Sequence, residues 1–420
     1  MRILHLVHQF VPEQIGGTEL YTQALARHLV ARGHQVAILY RRSAEGSGLE
    51  AWEDEQGVQM WATWSGTVTP IRRFVSAFNE AKLLRAFSEV AGRFQPDVVH
   101  LQHLMGWPAA IADFTAHAAI PLLITLHDYW WLCANAQLLT NDSQVTCDGP
   151  RWWLNCGRCA LARTGWQDFT WLAPLPAPLF ALRERRLRQV LAQARLLIAP
   201  SEFVYQVYQR LGVAADRMRV ILHGIEGPAG PLATRRPASG PGELRLAYVG
   251  GLAWQKGVHV LVEAANQLPH DGFHLSIYGN TAAFPDYVAS LAQAIRHPGI
   301  RLEGRLTRPE FWDTLAQMDA VVVPTLWYEA SPLIIQEAFA AGVPVIASDI
   351  GALSEKVRHG VDGLLTPAGD VAALRDLLRE LMEEPGRLDT LRAGIRPVRR
   401  IEEHVAEVEA AYAAASTTRW

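Results

Sequence analysis

The sequence predicts two α/β domains, each a parallel sheet with helices on both faces. Three observations carry this. Short apolar runs alternate with longer stretches of helical pattern along the chain, as in doubly wound sheets. A stretch rich in Pro, Gly, Ala and Ser, Glu226 to Glu243, reads as a linker or long surface loop, and the strand pattern restarts after it at Leu244. The length of 420 residues is also long for a single core. The expected division is 1–222, 223–400 and a terminal segment 401–420.

Taken in order, Ile3 to Val7 is a first strand, followed by a loop from His8 to Gly17 and a helix from about Thr18 to Arg32 that Gly33 ends. Val36 to Leu39, Val98 to Leu101 and Leu122 to Thr125 are further strands, and Leu196 to Ala199 and Arg219 to Leu222 close this half. The second half repeats the pattern at Leu244 to Val249, Leu275 to Tyr278, Ala320 to Val323 and Val345 to Ala347. Two such domains facing one another would leave a ligand cleft at the carboxyl ends of their strands. Ile401 to Ala415 is rich in Ala and Glu and reads as a helix.

Half of the residues are hydrophobic and 19% are charged, which suits a large core rather than disorder. A formal net charge of −3 leaves no bulk footprint for nucleic acid. No apolar run has the length of a membrane span, and the N-terminus enters a strand directly, without a signal-peptide layout. The expected location is the cytoplasm.

Glu329 and Glu337 carry the most chemical information. Ser331 suits a helix N-cap and Pro332 the first helical position, while Gly342 and Pro344 end the helix. Glu329 then lies on the loop entering the helix, and Glu337 about two turns inside it. The free N–H groups of such a helix end attract an anion. Two carboxylates beside an anion site suit a ligand with hydroxyls at both ends and a diphosphate between.

This stretch resembles the E-x7-E segment of retaining family-4 glycosyltransferases, which have the GT-B fold. The resemblance runs from residue 1 to about residue 400. Gly16-Gly17 is similar to the family's Gly-Gly loop, where backbone comes close to the donor. The loop lacks the G-x-G-x-x-G of a dinucleotide site. Thr125-Leu126-His127-Asp128 places His127 where the family has a His that hydrogen-bonds the donor sugar. Gly250-Gly251-Leu252-Ala253-Trp254-Gln255-Lys256-Gly257 resembles the Gly-Arg-Leu…Lys-Gly loop, whose cations neutralise the departing diphosphate. Lys256 matches, but Gly251 stands where the family has Arg, and Arg305 is a candidate substitute. Gly279 and Arg305 lie in loops that surround the nucleobase in relatives, although as short motifs both are also ordinary turns. By this resemblance His127, Glu329 and Lys256 are catalytic. Gly16, Gly17, Gly250, Gly251, Lys256, Gly279, Arg305, Glu329, Ser331, Pro332, Leu333 and Glu337 bind the donor, and the terminal helix crosses back to the first domain.

All four cysteines fall in Cys133–Cys159, spaced C-x13-C-x8-C-x2-C. Cys156 and Cys159 have the spacing of a zinc knuckle, and Cys133 and Cys147 complete four ligands for a structural zinc. Free buried thiols are the first alternative, and disulfides or an iron–sulfur cluster the other. An insertion over residues 130–180 also concentrates tryptophan and precedes Arg183, Arg185, Arg186 and Arg188. Aromatics followed by a basic helix suit an anionic membrane surface, and equally a helix packed on its own domain.

The expected activity is transfer of a sugar from a nucleoside-diphosphate donor to the hydroxyl of a glycan or lipid-linked acceptor, with retention and no catalytic metal, in bacterial polysaccharide or glycoconjugate synthesis. A nucleotide-sugar epimerase and a non-catalytic binding subunit are the rival readings. No nucleic-acid partner is expected.

Overall fold

A computed structural model describes residues 1–13, 15–66, 69–78, 80–228, 230, 232, 243–384 and 386–417. Most of the expected linker, Glu226 to Glu243, lies outside the described residues. The chain divides into two units: Met1–Gly224 together with Ile401–Trp420, and Ile225–Arg400.

The first unit contains β1 (Arg2–Leu6), α1 (Gly17–Ala31), β2 (Gln35–Arg42), β3 (Leu49–Glu53), β4 (Gln59–Trp64), α2 (Pro70–Val75), α3 (Ala81–Phe94), β5 (Val98–Leu101), α4 (Ala110–His117), β6 (Leu122–Thr125), α5 (Leu154–Arg163), α6 (Ala177–Gln193), β7 (Leu196–Ala199), α7 (Glu202–Arg210) and β8 (Met218–Val220). Its sheet runs β3-β4-β2-β1-β5-β6-β7-β8, parallel except for β3 against β4. The central strands are continuous apolar runs because helices cover both faces. The β3–β4 pair is an addition to the expected strands. β3 is exposed along most of its length, so it lacks the apolar run that marks the others.

The second unit contains β9 (Leu244–Val249), α8 (Val258–Ala265), β10 (Phe273–Tyr278), α9 (Pro285–Ala294), β11 (Ile300–Gly304), α10 (Arg308–Ala316), β12 (Ala320–Val323), α11 (Leu333–Ala340), β13 (Val345–Ser348), α12 (Ala352–Lys356), β14 (Gly363–Thr366), α13 (Val371–Glu383) and α14 (Gly386–Gly394). All its strands are parallel, in the order β11-β10-β9-β12-β13-β14.

The last helix, α15 (Ile401–Thr417), packs on the first unit against α1. Ile401, Val405, Val408, Ala411 and Tyr412 share one core with Ile3, Leu25, Ile38 and Val98. Burial of each larger apolar side chain contributes about 1.5–3 kcal/mol, so this helix is an integral layer of the unit. No helix among the described residues is long and apolar enough to cross a membrane.

Candidate active site

In the second unit the strand order reverses between β9 and β12. Loops leaving the carboxyl ends of two such strands frame the usual ligand crevice of a doubly wound sheet. The loop after β9 ends at Gly257, which caps α8 at φ +68°. A side chain is excluded there twice, by the positive φ and because a Cβ would lie 1.8 Å from the Pro324 carbonyl oxygen. Thr325 Oγ1 donates to the Gln255 carbonyl at 3.1 Å, and the Leu326 N–H donates to the same oxygen at 2.9 Å. The two loops are thereby pinned together.

This pinning brings Lys256 to Glu329. Two donors converge on Glu329 Oε1, Lys256 Nζ at 2.6 Å and Trp327 Nε1 at 3.0 Å, and the Thr325 hydroxyl, 3.2 Å away, shares its single proton between this oxygen and the Gln255 carbonyl. The second oxygen, Oε2, has no hydrogen-bond partner among the described residues. One oxygen thus anchors a buried carboxylate and the other is left to accept.

Glu337 is arranged in the same way. Arg308, the first residue of α10, donates through Nη1 to Glu337 Oε1 at 2.9 Å, and its guanidinium lies 5.0 Å from the Phe311 ring centroid. Burial pushes the Glu337 carboxyl above its ordinary range, and Arg308 pulls it partly back.

The entry to α11 differs from the expected one. Pro332, not Ser331, is the N-cap, with ψ 110°, and no side chain caps the helix. The helix therefore begins at Leu333, and Glu337 is its fifth residue, a little over one turn inside. Ser331 Oγ is sealed from solvent and has no hydrogen-bond partner among the described residues. Pro332 is itself extended instead of helical, so the helix starts one residue later than expected and Ser331 stands one position before the cap.

Of the other candidates, Gly279 packs tightly: a Cβ there would lie 2.4 Å from the Gly250 carbonyl oxygen. At Gly250 a Cβ would meet Tyr248 Oη at 2.9 Å, whereas Gly251 has open space around it. Arg305 is exposed at the turn after β11. Arg308, Thr325 and Trp327 were missed as site residues. Trp327 lies inside the motif that drew attention to Glu329, but Arg308 carried no local signal beyond its place after the Thr307 capping box.

In the first unit β1 lies between β2 and β5, and the loops after β1 and β5 frame a comparable reversal. Gly16 caps α1 with extended backbone, and a Cβ there would lie 2.6 Å from Glu19 Oε2, while Gly17 meets nothing. His8 and His103 rings lie 4.4 Å apart, and His103 Nε2 is 3.0 Å from Asp128 Oδ2. Asp128 also accepts from the Trp130 N–H at 2.8 Å, so it turns the chain as well. His127 Nε2 lies 2.8 Å from Gln102 Oε1. Its burial and the nearby His103 push its pKa down to about 3, so the ring is neutral.

All four cysteines line one cavity of about 490 Å³ in this unit, with Phe74, Phe78 and Leu179. Among the described residues no three His, Cys, Asp or Glu side chains stand at metal-ligand spacing. N–H donors point at two of the sulfurs: Asn141 Nδ2 at Cys159 Sγ, 3.1 Å, and Asn155 Nδ2 at Cys147 Sγ, 3.5 Å.

The expected basic surface of α6 is largely occupied internally. Arg183 is buried and donates to the Trp130 carbonyl, Arg186 pairs with Asp113, and Arg188 pairs with Glu184. Trp130 and Trp131 are core residues, whereas Trp152, Trp166 and Trp171 are exposed.

Residues 15–226 match the family described as Glycosyltransferase Family 4, and residues 243–384 match the one described as Glycosyl transferases group 1. The chain belongs to glycosyltransferase family 4. A glycogen synthase of Mycobacterium tuberculosis is 28% identical over 404 residues, covering 92% of this chain and 87% of the relative. A D-inositol 3-phosphate glycosyltransferase of Thermobispora bispora is 27% identical over 398 residues, covering 90% and 84%. Among solved structures, the sucrose-phosphate synthase of Thermosynechococcus elongatus superposes with a TM-score of 0.74 at 20% identity, covering 98% of both chains. Anabaena HepE, solved with UDP and glucose, gives 0.67 at 18% identity, covering 99% of this chain and all of that one. The family-4 protein is thus a glycosyltransferase with the two-domain GT-B fold.

Proposed function

We propose that the protein is a retaining glycosyltransferase that uses a nucleoside-diphosphate sugar. One observation carries this reading: Glu329 and Glu337 each have one oxygen held by a cation and one without a partner among the described residues, on either side of the start of α11, which no side chain among them caps. Glu337 would accept from the ribose hydroxyls and Glu329 from hydroxyls of the sugar. Lys256, the first N–H groups of α11 and the unpartnered Ser331 hydroxyl would hold the diphosphate. His127 would accept from a substrate hydroxyl, and the leaving phosphate would take the acceptor proton. No catalytic metal is required.

A thermal-shift screen of UDP, GDP and ADP with their glucose and mannose conjugates tests the reading. At least one nucleotide should raise the melting temperature in wild type and not in Glu337→Ala, and anomeric configuration is then read by NMR on the product. A silent screen, or an inverted product, overturns it. HepE's complex with UDP and glucose favours a uridine nucleotide. The acceptor is proposed to be a glycan or lipid-linked sugar of bacterial polysaccharide or glycoconjugate synthesis. The exposed Trp166, Trp171, Leu175 and Leu179 support contact with a cytoplasmic membrane face, by apolar insertion more than by charge.

We also propose a structural zinc at Cys133, Cys147, Cys156 and Cys159. The common cavity and the amide donors aimed at two sulfurs support it, since such donors steady metal thiolates. Binding would draw the sulfurs together. Elemental analysis should then give about one zinc per chain. Metal-free protein of full stability with four freely titrating thiols ends this proposal.

A further inference from the structure

We propose that Gln102 is a positioning residue of the transfer reaction: its carboxamide oxygen accepts the Nε2–H of His127 and keeps the Nδ1 lone pair open to a substrate hydroxyl. The inference rests on the function proposed above for His127 and names what sets its tautomer.

Sheet geometry assembles the group. His5 and His100 are register partners on β1 and β5. Alternate residues of a strand share a face, so Gln102 continues the face of His100, and His127 continues that of Thr125. Gln102 is fully buried, with its backbone N–H bonded to the Leu6 carbonyl at 2.8 Å.

The orientation of the amide sets the tautomer of His127. Gln102 Nε2 is placed 3.0 Å from His5 Nδ1 and 3.1 Å from His100 Nδ1, an orientation that requires these nitrogens to be unprotonated. His100 Nδ1 also lies 2.7 Å from the Tyr412 hydroxyl, so its one lone pair serves either that hydroxyl or the amide, and His100 Nε2 lies 2.8 Å from Thr125 Oγ1. With the NH2 group engaged on that side, the oxygen faces His127 at 2.8 Å. A carbonyl-type oxygen only accepts, so His127 carries its proton on Nε2. Among the described residues Nδ1 of His127 has no hydrogen-bond partner. Burial keeps the ring neutral, which preserves that lone pair. Edge contact from Tyr21, 4.9 Å between ring centroids, fixes the ring plane. Gln102 thus acts through His127 and need not touch substrate.

The test is a long-range ¹H–¹⁵N spectrum of histidine-labelled protein, with His127 assigned by its loss in His127→Asn. Wild type should show a protonated Nε2 and a bare Nδ1. In Gln102→Met, which keeps volume but loses the acceptor, the tautomers should mix. The kcat should then fall about tenfold, the worth of one well-placed hydrogen bond, while affinity for the nucleoside diphosphate found in the screen stays within about twofold of wild type. Tyr412→Phe, which breaks a bond elsewhere in the same network, should leave the His127 tautomer and the rate near wild type. A wild-type Nδ1–H tautomer overturns the proposal without any variant. So does an unchanged rate in Gln102→Met, or an equal loss in Tyr412→Phe. If no transfer is found at all, the proposed function fails, and the spectrum still reports the tautomer.

Discussion

Lys256 and Glu329 hold each other across the strand-order reversal of the second sheet, with Nζ 2.6 Å from Oε1. The pair is half-open to solvent on the lysine side and nearly closed on the glutamate side. A bound diphosphate would draw on the same ammonium, so lysine couples the phosphate and sugar ends of the proposed ligand.

Lys256→Ala should lower kcat more than tenfold, because the leaving diphosphate loses its cation and Glu329 loses its anchor. Glu329→Ala should also act mainly on turnover. A double-mutant cycle should be strongly non-additive, as expected for groups in direct contact. Additive losses would mean that the two residues act independently and that this contact is structural.

Glu337 should trade stability for binding. Its carboxyl is pushed up by burial, so the native state holds its proton more tightly than the unfolded chain. The ionised form therefore costs folding energy, and that cost grows as pH rises through the ordinary carboxylate range toward the raised native value. Glu337→Gln should raise the melting temperature at pH 7 and make it less sensitive to pH between the ordinary carboxylate range and the raised native value. The same variant should weaken nucleotide binding, since the amide presents a weaker acceptor to hydroxyls. A lower melting temperature would show that the Arg308 contact outweighs desolvation.

How much of this was legible in the sequence depended on range. The strand after Leu244, the Gly257 turn and the helix that starts near Leu333 are local, written in apolar runs and in Gly and Pro. Ser331 was misread because Pro332, whose φ suits a first helical position, takes an extended ψ and serves as the N-cap itself, a choice of ψ that composition does not reveal. Arg308 and Gln102 were invisible for another reason. Gln102 meets His127 because each follows one of two paired strands, β5 and β6, and Arg308 meets Glu337 because the starts of α10 and α11 come together; neither contact is local in sequence. The clustering of four cysteines in 27 positions was legible, and folding brings them to one cavity.

Acid should destabilise the first unit early. His5 and His100 are wholly buried, and burial pushes His5 down to about 3 and His100 well below the ordinary imidazole range. Below about pH 6.5 the unfolded chain binds protons that the native state refuses. Stability thus falls with pH from there down to the native values, by up to ~1.4 kcal/mol per pH unit for each such histidine. Denaturant titrations between pH 7 and 4.5 should show this slope, and His5→Gln should flatten it. A midpoint independent of pH over that range contradicts the buried neutral assignment.

Gly251→Arg restores the cation that the family carries at this place. Nothing in the backbone demands glycine there: a Cβ meets no atom within 4 Å, and φ is outside the left-handed region. The residue is exposed, and its carbonyl, which accepts from Tyr248 Oη at 2.7 Å, is unaffected by a side chain. The variant should therefore fold with an unchanged melting temperature. Its guanidinium would stand on the same loop as Lys256 and add a charge-assisted contact to the diphosphate. Against that contact stand the ordering of a long side chain and screening by salt. The net gain should be about threefold to tenfold in nucleotide affinity at low ionic strength, shrinking at 0.5 M salt. Weaker binding in a folded variant would mean that the diphosphate does not pass this loop, and Lys256 would have to be reassigned with it.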